Sequence, residues 1–246
     1  MKIFKEIGEY MILMSRVFSK PEKLSIYRNK MLFEMEAIGL NSIGIVAIIS
    51  IFMGAVLVVQ LANNLDSPFL PKSLIGYATR EAMVLEFSST IVALILAGKV
   101  GSNIASEIGT MRITEQIDAL EVMGVNSASY LILPKVIATL LFFPFLTILS
   151  ILVGTLGGYL TVYMTDMFPA YEYINGIKSY FKITYITYTL VKACLFGFLI
   201  TTISAYYGYY AKGNSLEVGR ASTRAVVISS VAILVFNLIL TQMMLT

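Results

Sequence analysis

The stretch IGLNSIGIVAIISIFMGAVLVVQL, residues 38–61, contains no charged side chain. A helix needs about 20 predominantly apolar residues to cross the roughly 30 Å hydrocarbon core of a bilayer. Comparable apolar runs recur at residues 74–97, 136–164, 185–207 and 226–245. The sequence therefore predicts an all-α polytopic membrane protein with five transmembrane helices.

The composition excludes several classes of protein. The 246 residues are 57% hydrophobic and 13% charged, with a mean hydropathy of +0.80, and that charged fraction is about half the one found in soluble domains. Histidine is absent and Cys194 is the single cysteine, so an internal disulfide, a Cys/His metal site and a His-based catalytic triad are all excluded. We expect no catalytic residues, no metal and no cofactor.

The sequence also lacks a GxxxxGK[ST] phosphate loop and any soluble segment large enough for an ATPase. If the protein performs energy-driven work, a second chain must therefore bind and hydrolyse the nucleotide.

The N-terminal residues 1–20 have the pattern of an amphipathic helix. Apolar side chains recur at three- and four-residue spacing, at Phe4, Ile7, Met11, Met14 and Phe18. This pattern predicts a helix that either lies in the membrane interface or packs on the protein itself. A polar, basic turn around Pro21 follows it.

The basic residues predict the orientation. If the N-terminus is inside, thirteen lysines and arginines fall on the cytoplasmic side, and four fall outside, namely Lys72, Arg80, Lys178 and Lys182. Cytoplasmic segments of membrane proteins carry the excess of basic residues. We therefore expect a cytoplasmic N-terminus and a C-terminus on the opposite side.

The charged stretch GSNIASEIGTMRITEQIDALEVMG, residues 101–124, interrupts the apolar runs on the predicted cytoplasmic side. Its apolar spacing changes phase after Gly109-Thr110, which predicts two short helices or one bent helix along the membrane surface. An acidic ridge recurs at three-residue spacing, at Glu115, Asp118 and Glu121. An ordinary solvated loop helix is the alternative interpretation.

Two charged residues fall inside the predicted spans. Glu86 lies in the middle of the second span, where an ionisable group costs a few kcal/mol unless it is paired or hydrated. It is expected to face a cavity or a partner, or to serve as a structural hydrogen-bonding residue. Lys192 lies toward the outer part of the fourth span, higher than Glu86 if both helices are regular, which argues against a direct pair. We expect Lys192 to extend outward or to meet a lipid phosphate or a partner.

The third span carries a small-residue motif, Gly154 to Gly158, that is typical of close packing between membrane helices.

The block GKVGSNIASEIGTMRITEQIDALEVMGVNSASYLILPKVIA, residues 98–138, resembles the signature of the MlaE/YrbE permeases. These are the membrane subunits of ABC transporters that move phospholipids or related lipids together with MCE-domain proteins. FSKPE (18–22), MGAVLVVQ (53–60) and EVGRASTRAVV (217–227) also resemble the family, in the expected order. The resemblance therefore extends over most of the chain.

The resemblance implies a single permease domain over residues 1–246, with one interfacial helix and five spans, that works as a homodimer in the bacterial inner membrane with its C-terminus periplasmic. It would be a non-catalytic subunit that moves phospholipid between the inner membrane and an MCE-domain partner, and so maintains outer-membrane lipid asymmetry. ATP would be bound by a cytoplasmic ATPase partner. No nucleic acid is expected among its partners.

The resemblance also implies two sets of site residues. Segment 101–124 would be the coupling helix that docks on the ATPase, with candidate residues Glu107, Arg112, Thr114, Glu115, Gln116, Asp118 and Glu121. The lipid cavity would be lined by Leu57, Gln60, Leu61, Leu65, Glu86 and Lys192.

Three other functions compete with phospholipid transport. The chain could import another hydrophobic molecule, such as a sterol-like lipid. An intramembrane enzyme acting on lipids has few candidate groups, because histidine is absent and Glu86 is the only acidic residue near mid-membrane. A passive scaffold would not require a charge at the depth of Glu86.

Overall fold

The computed structural model describes residues 2–19, 24–65 and 70–245. Its α-helices are α1 (Lys2–Phe18), α2 (Leu24–Glu34), α3 (Asn41–Asn64), α4 (Ser73–Ala82), α5 (Val92–Leu96), α6 (Ser102–Ile113), α7 (Gln116–Val122), α8 (Ser127–Thr165), α9 (Ala170–Lys178), α10 (Ile183–Tyr209) and α11 (Ser215–Leu245). Three π-helical segments are π1 (Met35–Leu40), π2 (Met83–Ile91) and π3 (Ala97–Gly101). The basic turn predicted around Pro21 lies outside the described residues.

Five helical stretches within the described ranges are long and apolar enough to cross a membrane. They are Lys30–Asn64, Ser73–Ile113, Ser127–Thr165, Ile183–Tyr209 and Ser215–Met244. Helices suit this environment because hydrocarbon offers no water to hydrogen-bond an unpaired backbone group. The prediction of an all-α polytopic membrane protein is confirmed.

The second stretch continues beyond the predicted residues 74–97 and ends at Ile113. The polar-looking α6 continues the helix because its apolar side packs against α11. Ile104 and Ile108 are buried, and a Cβ atom on Gly109 would come within 3.0 Å of Val218 Cγ1. The first part of the charged segment is therefore a packed continuation of a membrane helix.

Two compact units divide the chain. The first contains Met1–Asn41, Ala93–Phe143 and Cys194–Thr246, and the second contains Ser42–Val92 and Pro144–Ala193.

In the first unit, α1 presents two different apolar faces. Leu13, Met14 and Val17 are buried, whereas Phe4 and Met11 are exposed. The phenol of Tyr10 donates a hydrogen bond to Thr202 Oγ1 at 2.9 Å, and burial raises the pKa of this phenol. The helix therefore packs on the protein by one face and leaves the other available to lipid.

In the second unit, α3 and the later part of α8 approach each other through glycines. A Cβ atom on Gly54 would overlap the carbonyl oxygen of Gly154, and a Cβ atom on Gly157 would overlap the carbonyl oxygen of Ile51. Ser50 Oγ donates to Ser150 Oγ at 2.8 Å across the same contact. Backbone-to-backbone packing of this kind needs the absence of a side chain at the crossing point.

The sequence did not predict α9, which packs against α4 in the second unit. A Cβ atom on Gly76 would overlap the Tyr173 carbonyl oxygen, and one on Gly176 would overlap the Ser73 carbonyl oxygen. The two helices thus cross at a pair of glycines with their backbones in contact.

Arg80, counted above with the external basic residues, is buried in this contact. Its guanidinium donates to the carbonyl oxygens of Ile177 and Ser179, both at 2.6 Å. Cations at a helix C-terminus satisfy carbonyls that have no partner inside the helix. Glu81 accepts a third bond at 2.6 Å, which also balances the charge.

The two glycines of α3 test the close packing. Gly54→Ala should lower the free energy of unfolding by about 1–3 kcal/mol, because the added methyl group must separate α3 from α8. Gly44→Ala is the matched control, since no atom lies within 4 Å of its added Cβ, and it should be neutral or raise stability by up to about 1 kcal/mol. Thermal unfolding in detergent measures both, and equal effects would contradict the packing.

Candidate functional site

Glu86 and Lys192 form an ion pair in the second compact unit. Lys192 Nζ lies 3.2 Å from Glu86 Oε2 and donates to the Leu85 carbonyl oxygen at 3.0 Å. The lysine side chain is fully buried, whereas 38% of the glutamate side chain is exposed. The sequence-based argument against a direct pair is therefore wrong.

The depths of Glu86 and Lys192 were counted from Lys99 and Lys212, and neither of these residues is the end of its helix. The helix that carries Glu86 runs past Lys99 to Ile113, about 40 Å from Glu86 if it were regular. The helix that carries Lys192 ends at Tyr209, before Lys212. When a polar segment extends a membrane helix, the positions of charged residues in the sequence do not give the depth of a side chain in the membrane.

The surroundings hold this pair in place. Thr90 Oγ1 donates to Glu86 Oε2 at 3.3 Å, and the Lys192 ammonium lies 4.8 Å from the centre of the Tyr188 ring. Glu86 itself lies in π2, and π-helical insertions are rare and often occur at functional sites. The result is a buried cation whose carboxylate partner reaches the surface, where a charged ligand group could exchange with it.

The other cavity candidates lie on α3 or directly after it, and they divide into two groups. Leu57 is buried, and Leu61 and Leu65 pack against a buried apolar cluster that contains Val58 and Tyr173. Gln60 is exposed and lines a shallow groove with Ala55, Val56, Val59 and Asn63. The three leucines therefore pack into the core of the second unit, whereas Gln60 lies on its surface.

The coupling candidates lie around a break between α6 and α7. The break is at Thr114-Glu115, where Glu115 adopts a left-handed conformation with φ of 59°. Thr114 Oγ1 donates to the Thr110 carbonyl oxygen at 2.8 Å, and Gln116 Nε2 donates to Thr114 Oγ1 at 3.1 Å. The chain therefore forms two helices, but the break lies later than the predicted Gly109-Thr110.

The predicted acidic ridge is not a row of unpaired carboxylates. Arg112 pairs with Asp118 across the break at 2.6 Å, and Glu121 Oε1 accepts bonds from Ser127 Oγ and the Tyr209 hydroxyl, both at 3.0 Å. These bonds hold α7 against α6, α8 and α10 within the first unit.

Glu107 takes part in a buried charge cluster that sequence reasoning missed. Lys135 Nζ lies 2.6 Å from Glu34 Oε1 and 2.7 Å from Glu107 Oε2. Lys135 and Glu34 are almost fully buried, and 42% of the Glu107 side chain is exposed. No local signal could reveal the cluster, because Glu34 and Lys135 are 101 residues apart.

Sequence reasoning also missed an apolar pair at the end of α7. Val122 is 88% exposed and Met123 is 68% exposed. Apolar side chains that are exposed together on a protein surface mark sites that bind proteins or membranes. Their position beside Gly124, in an otherwise polar segment, was the signal that could have identified them.

Comparisons with known proteins all point to one family. The model of the family described as "Permease MlaE" matches residues 31–243. A "Probable ABC transporter permease protein" of Rickettsia bellii is 36% identical over 243 residues, covering 98% of this chain and 93% of the relative. A similarly named protein of Synechocystis is 32% identical, covering 98% and 91%.

A plant relative is also similar. The Arabidopsis thaliana "Protein TRIGALACTOSYLDIACYLGLYCEROL 1, chloroplastic" is 30% identical over 231 residues, which cover 94% of this chain and 66% of the relative.

A double-mutant cycle tests the ion pair. Glu86→Leu should lower the free energy of unfolding by about 3 kcal/mol, because it leaves a buried ammonium without its carboxylate. Adding Lys192→Met should recover most of that loss, since the double variant replaces the pair by apolar side chains. Thermal unfolding in detergent gives the coupling energy, and strictly additive effects would contradict a direct interaction.

Proposed function

This chain belongs to the MlaE permease family of ABC transporters, and from that membership we propose that it moves phospholipid across or out of its membrane. It is a membrane permease subunit, and such subunits work with an ATPase partner. The chain itself would be non-catalytic, with ATP bound and hydrolysed by the partner.

The Glu86–Lys192 pair is the observation that carries this proposal. Keeping two charges within an apolar helix bundle is costly, and ionisable residues within membrane spans mark binding sites and pathways. The half-exposed Glu86 carboxylate can exchange its lysine for a charged headgroup. Exposed apolar residues of α3, such as Val56, offer a surface for acyl chains.

The plant relative supports a lipid as cargo, because its name contains that of a galactolipid built on diacylglycerol. The proposal extends to a homodimer in the bacterial inner membrane that exchanges phospholipid with an MCE-domain partner and so maintains outer-membrane lipid asymmetry. Resemblance to the family supports these points.

The distribution of basic residues supports the proposed orientation. Arg80 and Lys135 are buried, so they no longer count as loop residues on either side. The excess on the proposed cytoplasmic side remains, and a cytoplasmic N-terminus and a periplasmic C-terminus follow from it.

ATP hydrolysis by the partner would act on this chain through α7. Its end carries the exposed Val122 and Met123, and Glu115 at its start is also exposed. An apolar contact rimmed by a charge is a common arrangement at protein interfaces. Movement of α7 would reach α6 through the Arg112–Asp118 pair and the short connection at Glu115.

Photo-crosslinking from α3 and π2 tests the cargo. A photoreactive amino acid at position 60 or 86 should label phospholipid in cells, because both side chains reach the surface. Position 57 is the matched control on α3, since Leu57 is buried, and it should label at least several-fold less. Labelling of a sterol-like molecule alone, or equal labelling at all three positions, would contradict the proposal.

A second experiment tests the ATPase contact. Val122→Asp should reduce co-purification of the ATPase subunit at least tenfold, because it places an unpaired charge in an apolar contact. Tyr171→Ser, a change at an exposed aromatic residue of α9, is the control and should leave co-purification unchanged. Full retention of the ATPase by the Val122 variant would rule out α7 as its docking site.

A further inference from the structure

A polar cavity of about 300 Å³ lies in the first compact unit, apart from the Glu86–Lys192 pair, which belongs to the second. Its walls come from α1, from the end of α10 and from the start of α11. The three walls differ in chemistry, and together they match a ligand that carries two opposite charges.

The α10 wall is an aromatic corner. The rings of Tyr206 and Tyr207 lie 5.2 Å apart at 74°, and those of Tyr206 and Tyr210 lie 5.2 Å apart at 58°. Tyr206 is almost fully buried among these rings, whereas Tyr207 and Tyr210 are partly exposed and both line the cavity. An aromatic face that reaches a cavity attracts an ammonium group.

The α1 wall adds negative charge to that corner. Glu6 and Glu9 both line the cavity, and Glu9 Oε2 accepts a hydrogen bond from the Tyr206 hydroxyl at 3.1 Å. The other oxygen of this carboxylate lies 3.8 Å from Nζ of the exposed Lys5. A ligand ammonium group would replace Lys5 as the cation that Glu9 contacts.

The α11 wall is basic. Arg220 and Arg224 are one helical turn apart and both line the cavity. Arg220 Nη1 is held at 2.5 Å by Glu217 Oε1. Guanidinium groups match the geometry of phosphate oxygens and bind them through two parallel hydrogen bonds.

The outer surface of α1 identifies the source of the ligand. Phe4 is 82% exposed on the helix that supplies Glu6 and Glu9, and Ile7 and Met11 are exposed as well. An amphipathic helix with such a face lies at the level of lipid headgroups. The cavity is therefore next to headgroups, and its ligand needs an ammonium group and a phosphate.

We propose that this cavity binds the headgroup of a zwitterionic phospholipid, with the ammonium group against Tyr207, Tyr210 and Glu9 and the phosphate against Arg220 and Arg224. This inference rests on the proposed function in one respect, namely that the chain lies in a lipid bilayer.

Native mass spectrometry of the full chain, released from nanodiscs of phosphatidylethanolamine and phosphatidylglycerol, tests the site. The wild type should retain phosphatidylethanolamine preferentially. The double change Glu6→Gln and Glu9→Gln should reduce that preference about tenfold, as expected when a charge-assisted contact is lost. Arg224→Gln, at an exposed residue, should weaken retention of both lipids and provides a second variant if the first is unstable. Glu36→Gln, an exposed carboxylate outside the cavity, is the control.

Several results would overturn the site. These are equal retention of the two lipids by the wild type, or unchanged retention in both cavity variants. Soluble phosphoethanolamine that competes at the same concentration as the lipid would assign the cavity to a solute and overturn its lipid source.

Glu86→Gln separates this inference from the proposed transport function. It should change lipid labelling from a photoreactive amino acid at position 60 and leave the phosphatidylethanolamine preference of the cavity unchanged. A preference that disappears with Glu86→Gln would place the retained lipid at the first site and contradict a second one.

Discussion

Hydrocarbon provides no hydrogen-bonding partner, and this constraint governs the structure. Backbone groups are satisfied inside long helices, and many hydroxyl groups bond back to the carbonyl oxygen four residues earlier. Examples are Ser50 to Val46, Thr79 to Ile75 and Thr189 to Tyr185. Side chains that would compete with a helix in water are thus compatible with it here. Close contact then depends on glycine, as at Gly54 and Gly154.

The same constraint explains how three cations become buried. Arg80 is held by backbone carbonyl oxygens and Glu81, so its contacts stabilise the junction of two helices. Lys135 and Lys192 differ from it, because each has one carboxylate partner that reaches the surface, Glu107 and Glu86 respectively. Both sites also adjoin a π-helical segment, since Glu86 lies in π2 and Glu34, the other partner of Lys135, directly precedes π1. A partly exposed partner makes each pair open to exchange with a ligand.

The apolar runs were enough to predict the class of fold and five spans, because length and hydropathy decide whether a segment can cross a bilayer. They could not predict where the second helix ends, since α6 was expected as a separate helix on the membrane surface, whereas it continues the second span and packs on α11. Pairs such as Glu34 with Lys135 join residues 101 apart, and no local pattern encodes them. Of the candidate site, the presence of Glu86 and Lys192 was predictable, whereas their contact depended on helix ends that only packing determines.

The burial of Arg80 has a consequence for the order of assembly. The carbonyl oxygens that receive its guanidinium belong to residues 97 and 99 positions later in the chain. At a translation rate of about 5–20 residues per second, those acceptors emerge roughly 5–20 s after Arg80. During that interval the guanidinium must be solvated by other groups, such as water or lipid phosphate. Synthesis of α9 is therefore the step that lets α4, the first part of the second membrane helix, reach its final packing.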